Sequence, residues 1–202
     1  MTKTRRAQPH WWNKGLSWRA LNWRLPVRSV NGSGVTGLVV HRDGQYGWSN
    51  RDWVSGAPAE RDFHFGLDVI GWITDSGATL PLDNRIVCCS PLEGTTSFVG
   101  PDEHGHMAVV LRHSPDDVVR RRFSFIGDLE EVYVERGEQV PAGLPLGRPY
   151  VFRKNYRFFH FGIGYEIAGT EKRRRVYINP AFSIDGRLEI RERIPFPSNR
   201  ST

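Results

Sequence analysis

Acidic residues are missing from positions 1–30 of this 202-residue chain, although seven lysines and arginines stand there, among them Lys3, Arg5, Arg6 and Lys14. That stretch cannot balance its own charge, so it must be solvated or meet an anion. Cysteine is nearly missing too: only Cys88 and Cys89 occur, side by side. Adjacent cysteines make a strained disulfide. A disulfide scaffold is therefore excluded, and the segment 85–90 reads as a buried strand with two small core residues. No apolar run approaches about 18 residues, which excludes a transmembrane helix. No apolar stretch precedes Trp11 either, so the chain is expected to carry no secretory signal and to be cytoplasmic as encoded. Helical periodicity sustained over about 11 residues is absent, and so are internal repeats.

Turn residues, by contrast, are plentiful. Twenty-one glycines and 13 prolines are spread among short apolar runs, the pattern of an all-β fold rather than of low complexity. Segments 37–40, 63–73, 78–82, 85–89, 107–112, 122–129, 131–134 and 157–167 read as strands. Residues 41–44 read as a turn, and Gly137, Gly143 and Gly147 punctuate a later one. The expectation is one all-β domain over 22–185, a single antiparallel sheet or barrel-like body with its core in 107–112, 122–129 and 158–167. A basic arm with Trp11, Trp12 and Trp18 precedes it over 1–21, and a tail follows over 186–202.

The net charge is +6, with clusters at Arg120–Arg122 and Lys172–Arg175. Such clusters are either solvated edge charges or contacts for a polyanion, including the acidic polymers of a cell envelope. No zinc-finger, helix-turn-helix or RNA-binding signature supports a nucleic-acid partner.

His64 and Asp68 stand four apart in Phe63-His-Phe-Gly-Leu-Asp68, and His160 lies in an aromatic strand over 157–167. Even spacing puts His64 and Asp68 on one face of a strand. Two histidines and a carboxylate can hold a divalent metal with one position left open for water. Taken alone, the spacing also fits a pair of ordinary polar residues, and His160 fits a satisfied core histidine.

The ordered context decides between these. His64-Phe-Gly-Leu-Asp68 resembles the H-x-G-x-D motif of the lysostaphin/LytM-type zinc endopeptidases, which act on peptidoglycan. The stretch 77–89 resembles that family's next two strands, and Gly105-His-Met-Ala-Val-Val-Leu-Arg-His113 its "G-n-x-V-x-I-x-H". Residues 134–147 are similar to "V-x-x-G-x-x-V-x-x-G-x-x-I-G", Phe158-Phe-His-Phe161 to the "H-x-H-F" strand, and Tyr177-Ile-Asn-Pro180 to the closing "v-N-P". The resemblance runs in order over about residues 22–185. It implies the family's β-rich fold, zinc as cofactor held by His64, Asp68 and His160, a peptide or peptidoglycan substrate, and an envelope or extracellular location.

Departures accompany it. The family's catalytic histidine aligns with Asp128, and the first histidine of "H-x-H" aligns with Phe158. The glycine-rich segment before that strand is replaced by Arg148-Pro-Tyr-Val-Phe-Arg-Lys-Asn155, so the groove differs from the family's usual one. A carboxylate can serve as a base, whereas phenylalanine can neither accept a proton nor donate a hydrogen bond. Asp128 and Phe158 are expected to flank the open face of the metal, with the aromatic crowd at Tyr156, Phe158, Phe159 and Phe161 favouring a ring that covers it. Two functions follow: a peptidase with weak or altered hydrolysis in which Asp128 is the base, or an inactive, metal-stabilised module that binds peptide or cell wall. His104 and His106 read as surface residues of a hairpin turn, and His113 as an exposed or strand-end residue.

Overall fold

Short β-branched and aromatic runs, cut by glycine and proline before a helix can propagate, satisfy their backbone N–H and C=O groups by pairing with one another. In this computed structural model residues 23–51, 58–102, 104–114, 120–153, 156–167 and 174–192 are described, and they hold no α-helix. The arm expected over 1–21 lies outside them.

The strands are β1 (Val27–Ser29), β2 (Val35–His41), β3 (Gly47–Arg51), β4 (Pro58–His64), β5 (Leu67–Thr74), β6 (Thr79–Pro81), β7 (Ile86–Cys89) and β8 (Gly94–Pro101). They continue with β9 (Met107–His113), β10 (Arg120–Val132), β11 (Gln139–Val140), β12 (Pro145–Arg153), β13 (Tyr156–Ile167), β14 (Arg174–Ile178) and β15 (Arg187–Arg191). Thirteen of them form one sheet, whose main path is β11-β8-β9-β10-β12-β13-β5-β2-β15, while β3 and β4 pair apart from it. The all-β expectation holds. The large sheet is mixed rather than wholly antiparallel, because β15 joins β2 in parallel. Residues 187–191, which the sequence reading assigns to a tail, therefore belong to the sheet.

Alternation along the strands separates two apolar faces. Leu38, Val40, Val69, Trp72, Val109, Leu111, Ile126, Phe159 and Phe161 share the main core. Val39, Ile70, Ile73 and Phe158 point the other way and form a second cluster with Tyr150 and Phe152. The three segments expected to build the core do so: Ala108–Leu111, Phe123, Ile126, Leu129, Phe159, Phe161, Ile163 and Tyr165 are all buried. Each fully buried phenylalanine contributes about 2–3 kcal/mol. Cys88 and Cys89 are buried and unpaired, and burial pushes the Cys89 thiol up to about 12, which makes both poor nucleophiles.

The glycine-rich stretch 134–147 folds as the spacing suggests. Gly137 and Gly143 have φ of 92° and 84°, the left-handed region that a side chain resists. Their N–H groups donate to the carbonyls of Thr96 and Ser90, each at 2.8 Å, tying the stretch to β8 and to the end of β7.

Candidate metal centre

His64 ends β4, in the two-stranded sheet, and Asp68 lies in β5 of the large one. The chain breaks at Phe65 and Gly66 between them. The even-spacing expectation is thus corrected: the two residues do not share a strand face but are brought together by the bend. Gly66 permits it. A Cβ there would lie 2.3 Å from Nε2 of His160 and 2.5 Å from the carbonyl of Phe161, far inside contact distance. The middle glycine of the motif is required by the histidine ring packed against it. Gly44 plays a similar part, since a Cβ on it would come within 2.5 Å of the Asp68 Cβ.

His160 sits directly across the β13–β5 ladder from Asp68. Both point to the face opposite the main core, because their neighbours Phe159, Phe161, Leu67 and Val69 fill that core. The sequence-predicted residues converge. His64 Nε2 lies 3.1 Å from Asp68 Oδ1 and 3.1 Å from His160 Nδ1, and His160 Nδ1 lies 3.0 Å from Asp68 Oδ1. The side chains remain 21%, 11% and 17% exposed, respectively for His64, Asp68 and His160, enough for an ion to enter.

His64 Nδ1–H donates to the carbonyl of Gln45 at 3.0 Å. A carbonyl can only accept, so that hydrogen bond fixes the ring and turns Nε2 toward the cluster, as second-layer partners of metal-binding histidines do. The centre therefore gathers ring nitrogens around a carboxylate, an arrangement that calls for a proton or a cation in the middle. Tetrahedral zinc with ligand contacts of 2.0–2.2 Å separates its ligand atoms by about 3.4 Å. The observed 3.0–3.1 Å separations need only a few tenths of an ångström of relaxation. The donor set and its spacing fit such a metal.

Burial opposes charge at both His64 and Asp68, but their mutual attraction prevails. Burial alone would raise the Asp68 carboxyl; hydrogen bonds from His160 and His64 hold it far below the usual carboxylate range. Burial likewise disfavours the charged His64 ring, and the hydrogen bond and charge of Asp68 outweigh it, leaving its pKa above the ordinary value. The cluster is already poised for positive charge at its centre.

Asp128 lies beside this cluster, one residue beyond Gly127, which pairs with His160. It has φ of 54°, and the β9–β10 register shifts between Ile126 and Leu129. Its carboxylate meets His106 Nδ1 at 2.6 Å. The His106 ring stacks on Tyr150, with centroids 3.9 Å apart and planes at 25°, and Tyr150 meets Phe158 edge-on at 6.1 Å. His106, read from sequence as a turn residue at the surface, is thus a partner of Asp128. The antiparallel register carries part of the missing signal: Met107 pairs with Leu129, so residue 106 falls level with 130 and meets 128 as a diagonal neighbour on the same face.

The aromatic crowd divides between faces. Phe159 and Phe161 enter the main core, while Phe158 joins the second cluster on the face that bears His160. His113 is the last residue of β9, as the strand-end reading has it, and is buried rather than exposed. Its Nδ1–H donates to the Glu93 carbonyl at 2.8 Å and its Nε2 meets the Ser124 hydroxyl at 2.9 Å. His41 donates from Nε2 to the carbonyl of Glu192 at 2.9 Å. Among the described residues no helix is long and apolar enough to cross a membrane.

No protein-family model matches the chain, and no curated protein matches it by sequence. Solved structures do. It is similar to the catalytic domain of a prophage-encoded M23 protein, EnpA, from Enterococcus faecalis, with a TM-score of 0.43 and 16% identity over 70% of this chain and 89% of that one. It is similar to the catalytic domain of the antimicrobial peptidase lysostaphin from Staphylococcus simulans, with a TM-score of 0.42 and 16% identity over 67% of this chain and 86% of that one. A SpoIIQ–SpoIIIAH pore-forming complex gives a TM-score of 0.45 and 19% identity over 82% of this chain and 92% of that one. At identities under one fifth, no residue role or activity passes from these proteins to this chain.

Proposed function

We propose that this chain is a zinc-dependent peptidase homologue directed at the peptides of peptidoglycan, with His64, Asp68 and His160 as its metal ligands. The observation that carries this reading is the convergence of three ligand atoms to within 3.1 Å of one another, made by the residues that the H-x-G-x-D and H-x-H resemblances select. When bound, zinc supplies Lewis acidity, polarising a carbonyl and acidifying water.

The chain's own residues do the rest. Gln45 accepts from Nδ1 of the His64 ring, so that Nε2 is turned inward to Asp68 and His160. Asp68 brings a single negative charge, which leaves a divalent ion net positive and able to attract a peptide carbonyl. Asp128, the residue aligned with the family's catalytic histidine, is engaged by His106 rather than free. Phe158 offers no polar atom where the family has its other histidine. Loss of one oxyanion donor typically costs about 100- to 1,000-fold in rate, so hydrolysis slower than that of a two-histidine site is expected. The basic clusters at Arg120–Arg122 and Lys172–Arg175 would favour a substrate embedded in an anionic envelope polymer.

Phe158, buried in an apolar cluster beside the centre, favours a second reading: a metal-stapled module that binds cell-wall peptides without cleaving them. One experiment separates the two. Purified, zinc-loaded protein is given peptidoglycan and short glycine- and alanine-containing peptides. Slow turnover that a chelator abolishes supports the peptidase; retention of peptidoglycan fragments with zinc bound and no cleavage supports the binding module.

A further inference from the structure

We infer that His106, oriented by Asp128, is the proton-carrying residue of this site, supplied from the hairpin between β8 and β9 in place of the family's histidines. The inference rests on the peptidase reading above and assigns a role to a residue that the resemblance does not select.

Three observations converge on it. The first is the 2.6 Å contact between His106 Nδ1 and Asp128 Oδ1, short enough for a charge-assisted hydrogen bond. An ionised carboxylate can only accept, so Nδ1 carries the proton. The second nitrogen, Nε2, keeps a lone pair, makes no hydrogen bond among the described residues, and belongs to a side chain that is 25% exposed. That is the protonation pattern of a general base held by a carboxylate. The second is the backbone at Asp128. Its φ of 54° is the only positive value among non-glycine residues described, and it falls within the register shift of β10 against β9. Bulges of this kind re-aim a side chain beside an active site, and a left-handed residue is held only where its surroundings require it. The third is the ring's fixed plane. Tyr150 stacks on it at 3.9 Å, while the backbone N–H groups of His104 and His106 both donate to Asp102 Oδ1, at 2.8 and 3.0 Å, which rigidifies the hairpin that carries it.

Location ties the pair to the metal cluster. Asp128 follows Gly127, the partner of His160 across β10 and β13. Burial raises the Asp128 carboxyl, and the hydrogen bond from His106 offsets only part of that rise. Asp102, His106 and Asp128 also lie close enough to hold a metal of their own. Asp102 is occupied by the hairpin N–H groups, however, and the His106–Asp128 contact is of hydrogen-bond length, so a proton rather than a second ion bridges them.

The step balances. Water attacks the peptide carbonyl carbon, forming a C–O bond, and gives its proton to His106 Nε2. The imidazolium is stabilised by Asp128 without proton transfer to it. As the C–N bond breaks, the same proton passes from Nε2 to the departing amine nitrogen, which leaves as an amine beside a carboxyl product. His106 is the catalytic residue and Asp128 a positioning residue.

The test uses the full chain. Nitrogen-15 NMR of the metal-free protein reads the tautomer of His106; zinc analysis and steady-state kinetics on peptidoglycan peptides follow for His106→Ala, Asp128→Ala and His64→Ala. Expected are an Nδ1-protonated His106 that loses this preference in Asp128→Ala, and one zinc per chain in wild type, His106→Ala and Asp128→Ala but none in His64→Ala. In His106→Ala kcat is expected to fall about 100- to 10,000-fold with KM little changed. Unchanged kcat in His106→Ala, an Nε2-protonated ring in the wild type, or a second metal lost with His106 would each overturn the inference. Absence of any turnover by zinc-loaded wild-type protein sinks the peptidase reading and the proton-carrying role with it. The tautomer, measured without metal, then distinguishes that failure from a pair that never forms.

Discussion

His160 faces Asp68 directly across the β13–β5 ladder, and its Nδ1 lies 3.0 Å from the Asp68 Oδ1. Neither residue reached this position by a flexible loop. Each is flanked along its strand by side chains locked in the main core, so the pair is built on rigid elements, and His64 is added from the bend at Gly66. A centre of this kind is preorganised, and the affinity proposed for a metal would depend on all three groups together.

Single substitutions His64→Ala, Asp68→Ala and His160→Ala are each expected to reduce zinc from one equivalent per chain to none after dialysis, by elemental analysis. His113→Asn, far from the centre in role, should keep its zinc. Saturating zinc at about 1,000 times its dissociation constant adds about 4 kcal/mol to the stability of the native state. A chelator should therefore lower the wild-type melting temperature and leave that of the three ligand variants unmoved.

Gly66→Ala tests the close approach at the bend. The added methyl would meet His160 Nε2 at 2.3 Å and the Phe161 carbonyl at 2.5 Å. The backbone oxygen cannot yield cheaply, so the ring and the bend must shift. We expect a loss of about 1–3 kcal/mol in denaturant unfolding and at least tenfold weaker zinc binding. Wild-type values for both would mean that the bend is looser than its contacts imply.

Much of this was legible in sequence. Strands announced themselves through period-two apolar runs, and the glycines at 137 and 143 through their spacing. The ligand set emerged from an ordered motif rather than from spacing, and the spacing argument itself failed: His64 and Asp68 belong to different sheets. The His106–Asp128 contact was hidden because it depends on the β9–β10 register, which a bulge alters, and bulges leave little trace in composition. The strand at Arg187–Arg191 was hidden for a related reason. Its burial is partial, so its alternation is faint, and a parallel partner far away in sequence supplies no turn signal.

His113 gives the chain an acid-sensitive point outside the candidate metal centre. Burial pushes its pKa down to about 4, with the Arg122 charge adding to the effect against the hydrogen bond to Glu93. The neutral ring is the native form. Above its unfolded value near pH 6.5 this group leaves stability unchanged with pH. As pH falls from about 6.5 toward about 4, the unfolded chain takes up a proton that the native state refuses, and stability is lost. A shift of this size corresponds to roughly 3 kcal/mol. Urea unfolding of metal-free protein at pH 7.5 and pH 4.5 should display most of that loss in the wild type and a shallower slope in His113→Asn. Equal slopes would assign the acid sensitivity to other groups.

Replacing Asp128 and Phe158 by histidine restores the residues found in the family at both aligned positions, and the two changes are expected to act in opposite directions. Histidine at 128 tolerates the left-handed backbone about as well as aspartate does, so strain is not the issue. What disappears is the acceptor that holds the Nδ1–H of His106, together with a negative charge that acts on His64. Asp128→His is therefore expected to lower kcat about 100-fold, an effect of the kind seen when a histidine loses its orienting carboxylate. Zinc content should be retained. Phe158→His instead places a nitrogen on the face that bears His160, two residues along β13, at a cost in stability. The ring leaves an apolar cluster of Val39, Ile70 and Ile73, and one of its nitrogens lacks a buried partner, so about 1–3 kcal/mol is lost. Its turnover should equal or exceed that of the wild type. The double variant then falls below Phe158→His alone. A double variant more active than either single one would mean that the two family histidines rebuild their own machinery, and that His106 takes no part in proton transfer.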